Sequence, residues 1–193
     1  LQANVGQVLG PGSGEEAKHV TRQALAHFLR GYYDLFRAWH LPQEQLVSLV
    51  RVPEWVPDGL QAARAAGRGV VLVFPHVGNF DLVSQAVSAY ALRLQALTLP
   101  DPSPGFMSLN EMRRRGGAEV TPLSPGALRQ AIRNLRQGGI LAMGGDRPVS
   151  ELDRPVAFFG RPARLPSASV RLALKTGALV AVMAAAWDAG SQS

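Results

Sequence analysis

Between Glu15 and Trp39, apolar side chains recur mostly at three- and four-residue steps: Val20, Leu25, Phe28, Leu29, Tyr32, Leu35 and Phe36. That period predicts one long helix, ended by Pro42. Its stripe Leu25, Phe28 and Leu35 is expected to pack on a sheet. A short helix is expected over Gln43–Val50. A third should open at Pro57-Asp58 and run to Ala66, closed by Gly67. The period then changes. Gly69–Pro75 holds a continuous Val-rich run, the mark of a strand buried on both faces. Beyond it the pattern alternates. Helices are expected over Asn79–Leu92, Phe106–Arg115 and Gly126–Gln137, with strands over Leu94–Leu99, Glu119–Pro122 and Gly139–Met143. Val156–Phe159 reads as a strand running into a Gly160-Arg161-Pro162 turn. Ser167 is placed to cap a helix to Thr176, with Gly177 at its end, and Ala178–Ala186 as the last strand. Such alternation predicts an α/β fold with a mainly parallel central sheet flanked by helices, the N-terminal helices packed beside it.

Composition narrows the class. Of 193 residues, 47% are hydrophobic and 18% charged, which suits one globular domain over 1–193 and excludes a disordered chain. Cysteine is absent, so disulfides, thiolate zinc sites and a catalytic thiol are excluded together. The four histidines, His19, His27, His40 and His76, are too scattered for a metal site, and no metal is expected. The strongest apolar runs, Val70–Phe74 and Gly177–Trp187, fall short of the ~18 residues of a spanning helix. No signal peptide pattern is visible, and the chain opens on Leu1 and closes soon after a strand-like run. It reads as the interior of a longer protein lacking its native ends.

Charge adds one more constraint. Lys+Arg number 20 against 14 Asp+Glu, a net +6, and only Lys18 and Lys175 are lysines. An arginine-rich surface suits anionic partners such as lipid headgroups, nucleic acid or phosphorylated substrates. A high-GC codon bias explains the same arginines together with 20 Gly and 14 Pro.

In open α/β sheets, ligands sit beyond the carboxyl ends of strands. The first strand ends in Phe74-Pro75-His76-Val77-Gly78-Asn79-Phe80-Asp81. Gly78 allows close backbone approach. The five-residue offset lets Asp81 fold back to hold one imidazole nitrogen of His76, freeing the other as a base. Spacing alone equally allows Asn79 and Asp81 to cap a helix and His76 to be a turn residue. Gly144-Gly145-Asp146-Arg147 puts a carboxylate and a guanidinium at the end of the fourth strand, or is an ordinary turn. Arg113-Arg114-Arg115 ends a helix, where cations are favoured anyway, or forms a phosphate clamp. There is no GxSxG elbow after a strand, no Walker loop, no GxGxxG and no RNA-binding aromatic signature.

Taken in order, these stretches resemble a known family. His76-Val-Gly-Asn-Phe-Asp81 is similar to the HX4D motif of glycerolipid and lysophospholipid acyltransferases. It is closest to the lipid A acyltransferase branch, which includes the phosphatidylinositol mannoside acyltransferases. Leu1–Gly10, Met112–Gly117, Gly145-Asp146-Arg147 and the Val156–Pro162 "FFG" block with Lys175-Thr-Gly-Ala178 resemble further family segments in the same order. Two positions depart from the pattern. The acidic residue before FFG has no certain register between Glu151 and Asp153, and none is clear among Leu99-Pro-Asp101.

The resemblance implies a glycerolipid acyltransferase-like fold and an O-acyltransferase. Such an enzyme would move a fatty acyl chain from acyl-CoA or acyl carrier protein to a hydroxyl of an anionic membrane glycolipid. By it, His76 is the general base, oriented and charge-compensated by Asp81. Arg113 or Arg114 holds phosphate. Asp146 is a second acid or supports Arg147, and Gly78 and Asn79 belong to the binding loop. The thioester is a co-substrate, and no cofactor is implied. Peripheral attachment to the cytoplasmic face of the plasma membrane is expected, with Tyr32, Tyr33, Phe36 and Trp39, flanked by Arg30 and Arg37, as interface-type aromatics. A non-catalytic anionic-lipid-binding domain and a lysophospholipid acyltransferase are the alternatives. A nucleic-acid-binding module lacks any motif.

Overall fold

The structure, a computed structural model, describes residues 1–88, 94–148 and 153–187. Its centre is a five-stranded parallel sheet of β1 (Val70–Phe74), β2 (Leu94–Thr98), β3 (Glu119–Pro122), β4 (Ile140–Gly144) and β7 (Leu179–Val182), in the order β3-β2-β4-β1-β7. β1 and β4 are uninterrupted apolar runs because both their faces are covered. On one face Val70, Leu72, Leu94, Ile140 and Ala142 pack on Leu60 and Ala63 of α4 (Trp55–Ala65), with Val83 of α5 (Phe80–Ser88) against them. On the other, Val71 and Leu141 meet Ala131 and Leu135 of α7 (Pro125–Arg136) and Leu172 and Ala173 of α8 (Ala168–Thr176). The α/β class and mainly parallel sheet expected from the sequence are present.

The N-terminal helices stack beside the sheet. Leu35 of α2 (Gly14–Ala38) is buried against Leu109 and Met112 of α6 (Pro104–Arg115). Ala38 meets Leu46 of α3 (Gln43–Ser48) and Leu82 of α5. The expected stripe is corrected here. Leu25 and Phe28 are 50% and 53% exposed, so of that stripe Leu35 is the member packed inward. Residues Gln2–Leu9, not expected as a helix, form α1, which lies along α2.

Other boundaries move for identifiable reasons. α4 begins at Trp55, ahead of Pro57, since a proline in the first turn gives up an N–H that has no helical partner. The last strand stops at Val182 rather than Ala186. Arg161-Pro162 is not the turn. It opens β6 (Arg161–Arg164), which pairs antiparallel with β5 (Pro155–Phe158). The turn is Phe159-Gly160, with φ of 47° and 75°. Ser167 makes no side-chain cap to α8. Its amide and hydroxyl instead donate to Oδ1 of buried Asp153, at 3.0 and 3.4 Å. The end of the helix expected over Asn79–Leu92, and Glu151, lie outside the described residues.

Candidate active site

β1 and β4 are neighbours, and Phe74 pairs in register with Gly144. From that shared level the chains part. β1 leads to α5 on one face of the sheet, and β4 leads toward α8 on the other. The crevice between two such ends is where open α/β sheets bind ligands.

Two side chains meet there. His76 follows Phe74 by two residues, and Asp146 follows Gly144 by two. Nδ1 of His76 lies 2.6 Å from Oδ1 of Asp146, and the His76 amide donates to Oδ2 at 2.9 Å. An ionised carboxylate only accepts, so Nδ1 carries the proton, and in the neutral ring Nε2 presents its lone pair. Burial alone would raise the Asp146 pKa. The hydrogen bonds from the His76 ring and amide, with the attraction of the imidazole, outweigh it and hold the carboxyl below its ordinary 3.8. The ring is fixed on its other sides as well. Phe80 meets it edge to face at 5.0 Å between centroids, and Phe74 at 5.9 Å. A Cβ on Gly144 would stand 2.8 Å from the imidazole Cε1, so this strand end must be glycine for the ring to lie against it.

Asp81 is elsewhere. The family resemblance implied that it orients the imidazole; in the structure Asp146 holds that position. α5 turns Asp81 inward, where it is 8% exposed. Arg113 Nε donates to its Oδ1 at 2.6 Å and Nη2 to its Oδ2 at 3.0 Å. Nη1 of Arg113 donates to Oδ1 of buried Asn110 at 2.9 Å. This fork ties the first turn of α5 to the last turn of α6. Arg113, expected as a phosphate clamp, already holds a carboxylate. Arg114 lies half exposed, 3.7 Å from Glu111, and Arg147 is exposed beside Asp146.

The remaining loop residues set the backbone. Asn79 Oδ1 accepts from the Leu82 amide at 3.2 Å, an N-cap for α5, while its Nδ2 donates to the Gly31 carbonyl of α2 at 3.1 Å. Gly78 has φ +61° and abuts the Ala185 carbonyl, so a side chain there would be strained and would collide. Beside this loop opens a cavity of about 1060 Å³. Asn79, Leu72, Leu82, Val182 and Trp55 line it, with Arg30, Arg37 and Arg51 among its polar residues. The Arg30 guanidinium sits 4.7 Å over the Trp187 ring. Sequence reasoning did not find the fork partner Asn110 or the aromatic walls of His76. Among the described residues no acidic or histidine cluster could hold a metal ion, and no helix is long and apolar enough to cross a membrane.

A family model described as "Bacterial lipid A biosynthesis acyltransferase" matches residues 1–193. Among curated proteins, a phosphatidylinositol mannoside acyltransferase of Mycobacterium tuberculosis (strain ATCC 25618 / H37Rv) is 30% identical over 188 residues, covering 92% of this chain and 58% of its own. One from Mycolicibacterium smegmatis is 28% identical over 182 residues, covering 92% and 59%. The chain thus spans somewhat more than half the length of these relatives.

Proposed function

The chain belongs to the bacterial lipid A biosynthesis acyltransferase family, and on that premise we propose that it transfers a fatty acyl group from a thioester to a hydroxyl of an anionic membrane glycolipid. The observation that carries this reading is the His76–Asp146 pair at the crevice between β1 and β4, which leaves Nε2 free. His76 takes the proton of the acceptor hydroxyl at Nε2. The alkoxide oxygen attacks the thioester carbonyl, the C–S bond breaks, and the proton passes to the departing thiolate. Asp146 is the positioning residue. It holds the ring tautomer and balances the imidazolium. Asp81, through Arg113, supports the loop from below.

The apolar cavity beside Asn79 suits an acyl chain, and its arginines suit a phosphate-bearing head. The names of the curated relatives favour a mannosylated phosphatidylinositol as acceptor. Acyl-CoA is the simplest donor. Thioesters of this kind are made in the cytosol, which places the reaction at the cytoplasmic leaflet.

Incubating the purified chain with palmitoyl-CoA and following free thiol tests the reaction. Thiol release that rises with added phosphatidylinositol mannoside, together with a new ester product, is expected. Release no faster than from His76→Ala protein rejects the catalytic reading and leaves a lipid-binding domain. A lysophospholipid that outcompetes the mannoside reassigns the acceptor.

Asp146→Asn gives a separate test of the pair. An amide can donate to Nδ1 and so move the proton to Nε2, where the base is needed. Turnover is expected to fall by at least ~10²-fold. The sign of the pH effect follows from the lowered carboxyl. Its contribution to stability is present above the unfolded pKa of about 3.8 and is lost as pH falls through the lower folded value. Denaturation of wild type and Asp146→Asn should therefore differ at neutral pH and converge in acid below 3.8. A difference that grows on acidification would contradict this account.

A further inference from the structure

The β5–β6 hairpin has no role in the chemistry above, yet it carries an unusual surface. None of its residues is buried. In the paired register Val156 faces Ala163 and Phe158 faces Arg161, so these four share one side of the ribbon. Phe158 and Phe159 are each 52% exposed at the turn, with rings packed edge to face at 4.6 Å. Phe159 holds a positive φ that a non-glycine residue adopts at a cost. An isolated two-stranded ribbon is marginal in water, and this one spends its bulkiest side chains on solvent.

The charge within the hairpin has one sign. Arg154, Arg161 and Arg164 are all exposed, and no acidic residue occurs from Arg154 to Arg164. The α1 helix touches the tip, Gln7 Nε2 donating to the Phe159 carbonyl at 2.8 Å. That helix contains no charged residue, and its Val8 and Leu9 are exposed as well. Along the chain the hairpin follows β4 and precedes α8, and its base is tied to α8 where the Ser167 amide donates to Asp153 at 3.0 Å.

We propose that this hairpin is a membrane finger that inserts Phe158 and Phe159 into an anionic lipid leaflet while Arg154, Arg161 and Arg164 engage the headgroups. Aromatic rings with arginines just behind them match the layered chemistry of a bilayer interface. A protein partner fits less well. Two half-exposed rings of ~150–250 Å² each fall far below the ~800 Å² per partner of a stable interface. The inference does not depend on the reaction, only on the surface.

The chain has no cysteine, so Phe158→Cys gives a unique site for an environment-sensitive nitrobenzoxadiazole label. Vesicles of equal phosphatidylcholine and phosphatidylglycerol are the probe. The label should brighten and shift to the blue, and lipids brominated on their acyl chains should quench it. A label at Arg129→Cys, on α7, should not respond. The double substitution Phe158→Ser with Phe159→Ser should weaken vesicle partition by at least ~10-fold. Phe158→Leu with Phe159→Leu should retain it, and thioester cleavage in the absence of vesicles should be unchanged in both. A vesicle-bound protein whose label at position 158 stays in water overturns the proposal, even where the serine variant fails to fold. So does a folded serine variant that binds like wild type. A label silent to vesicles but responding to protein concentration assigns the tip to a protein contact and overturns it equally.

Discussion

His76→Ala is expected to lower acyl-thioester turnover by ~10²–10⁴-fold while leaving the unfolding midpoint close to that of the wild type. The two halves of this expectation have separate physical sources. In the mechanism proposed above the imidazole Nε2 is the nitrogen that takes the acceptor's proton, since Nδ1 is held by Asp146. Its removal also leaves Asp146 without the ring hydrogen bond, but that carboxylate has a third of its side chain in water and can be resolvated. The ring itself stands at a strand end between Phe74 and Phe80 rather than in either apolar cluster. Steady-state thiol release and urea unfolding of the same preparations measure both halves. Turnover at the wild-type rate would remove His76 from the mechanism. A collapse of stability with equal loss of activity would make it a structural residue.

Arg113→Ala is expected to do the reverse. The Asp81 carboxylate is 8% exposed and both its oxygens rest on this one guanidinium. Removing the partner strands a desolvated charge, which destabilises by about 3 kcal/mol or more. Asn110, 2% exposed, loses its partner at the same time. Arg114→Ala, next in sequence, should cost less than ~1 kcal/mol, because its contact with Glu111 is long and solvated. Adding Asp81→Ala to Arg113→Ala should return part of the lost stability, since no orphan charge then remains. Urea midpoints for the four proteins decide the matter. Equal effects at Arg113 and Arg114 would mean that the fork carries no weight. A raised Michaelis constant at Arg113 without loss of stability would restore it as a phosphate clamp.

The contrast between these two residues explains what the sequence could and could not disclose. The strands were legible because burial on both faces leaves an uninterrupted apolar run, as at Val70–Phe74 and Ile140–Met143. The rim was legible because His76 and Asp146 each follow such a run. Their pairing was not. It depends on β4 lying beside β1, and the order of strands in a sheet is set by packing of segments far apart in the chain. Only the in-register match of Phe74 with Gly144 makes the two +2 positions meet. Asp81, five positions from His76, was the nearer candidate by spacing, but helix α5 directs it toward α6. Periodicity likewise located the apolar stripe of α2 without saying what would cover it. Leu35 found Leu109 and Met112, whereas Leu25 and Phe28 remain half exposed. The hairpin was half seen, because the positive φ of Phe159 moves the turn one residue ahead of the Gly-Arg-Pro stretch.

The place of β4 has a consequence for how the chain reaches this state. β4 is made after β1 and β2, yet it lies between them, hydrogen-bonded to both. Until residue 140 is available, β1 and β2 have no direct partner in each other and present open, apolar edges toward an empty slot. The pair His76–Asp146, 70 residues apart, can close only when that slot is filled. Such late, non-local insertion makes folding slow and its intermediates prone to sticking. A nascent or partly unfolded chain is therefore expected to be aggregation-prone and inactive together, and the appearance of activity during refolding should coincide with protection of the Leu141 and Ala142 amides from hydrogen exchange.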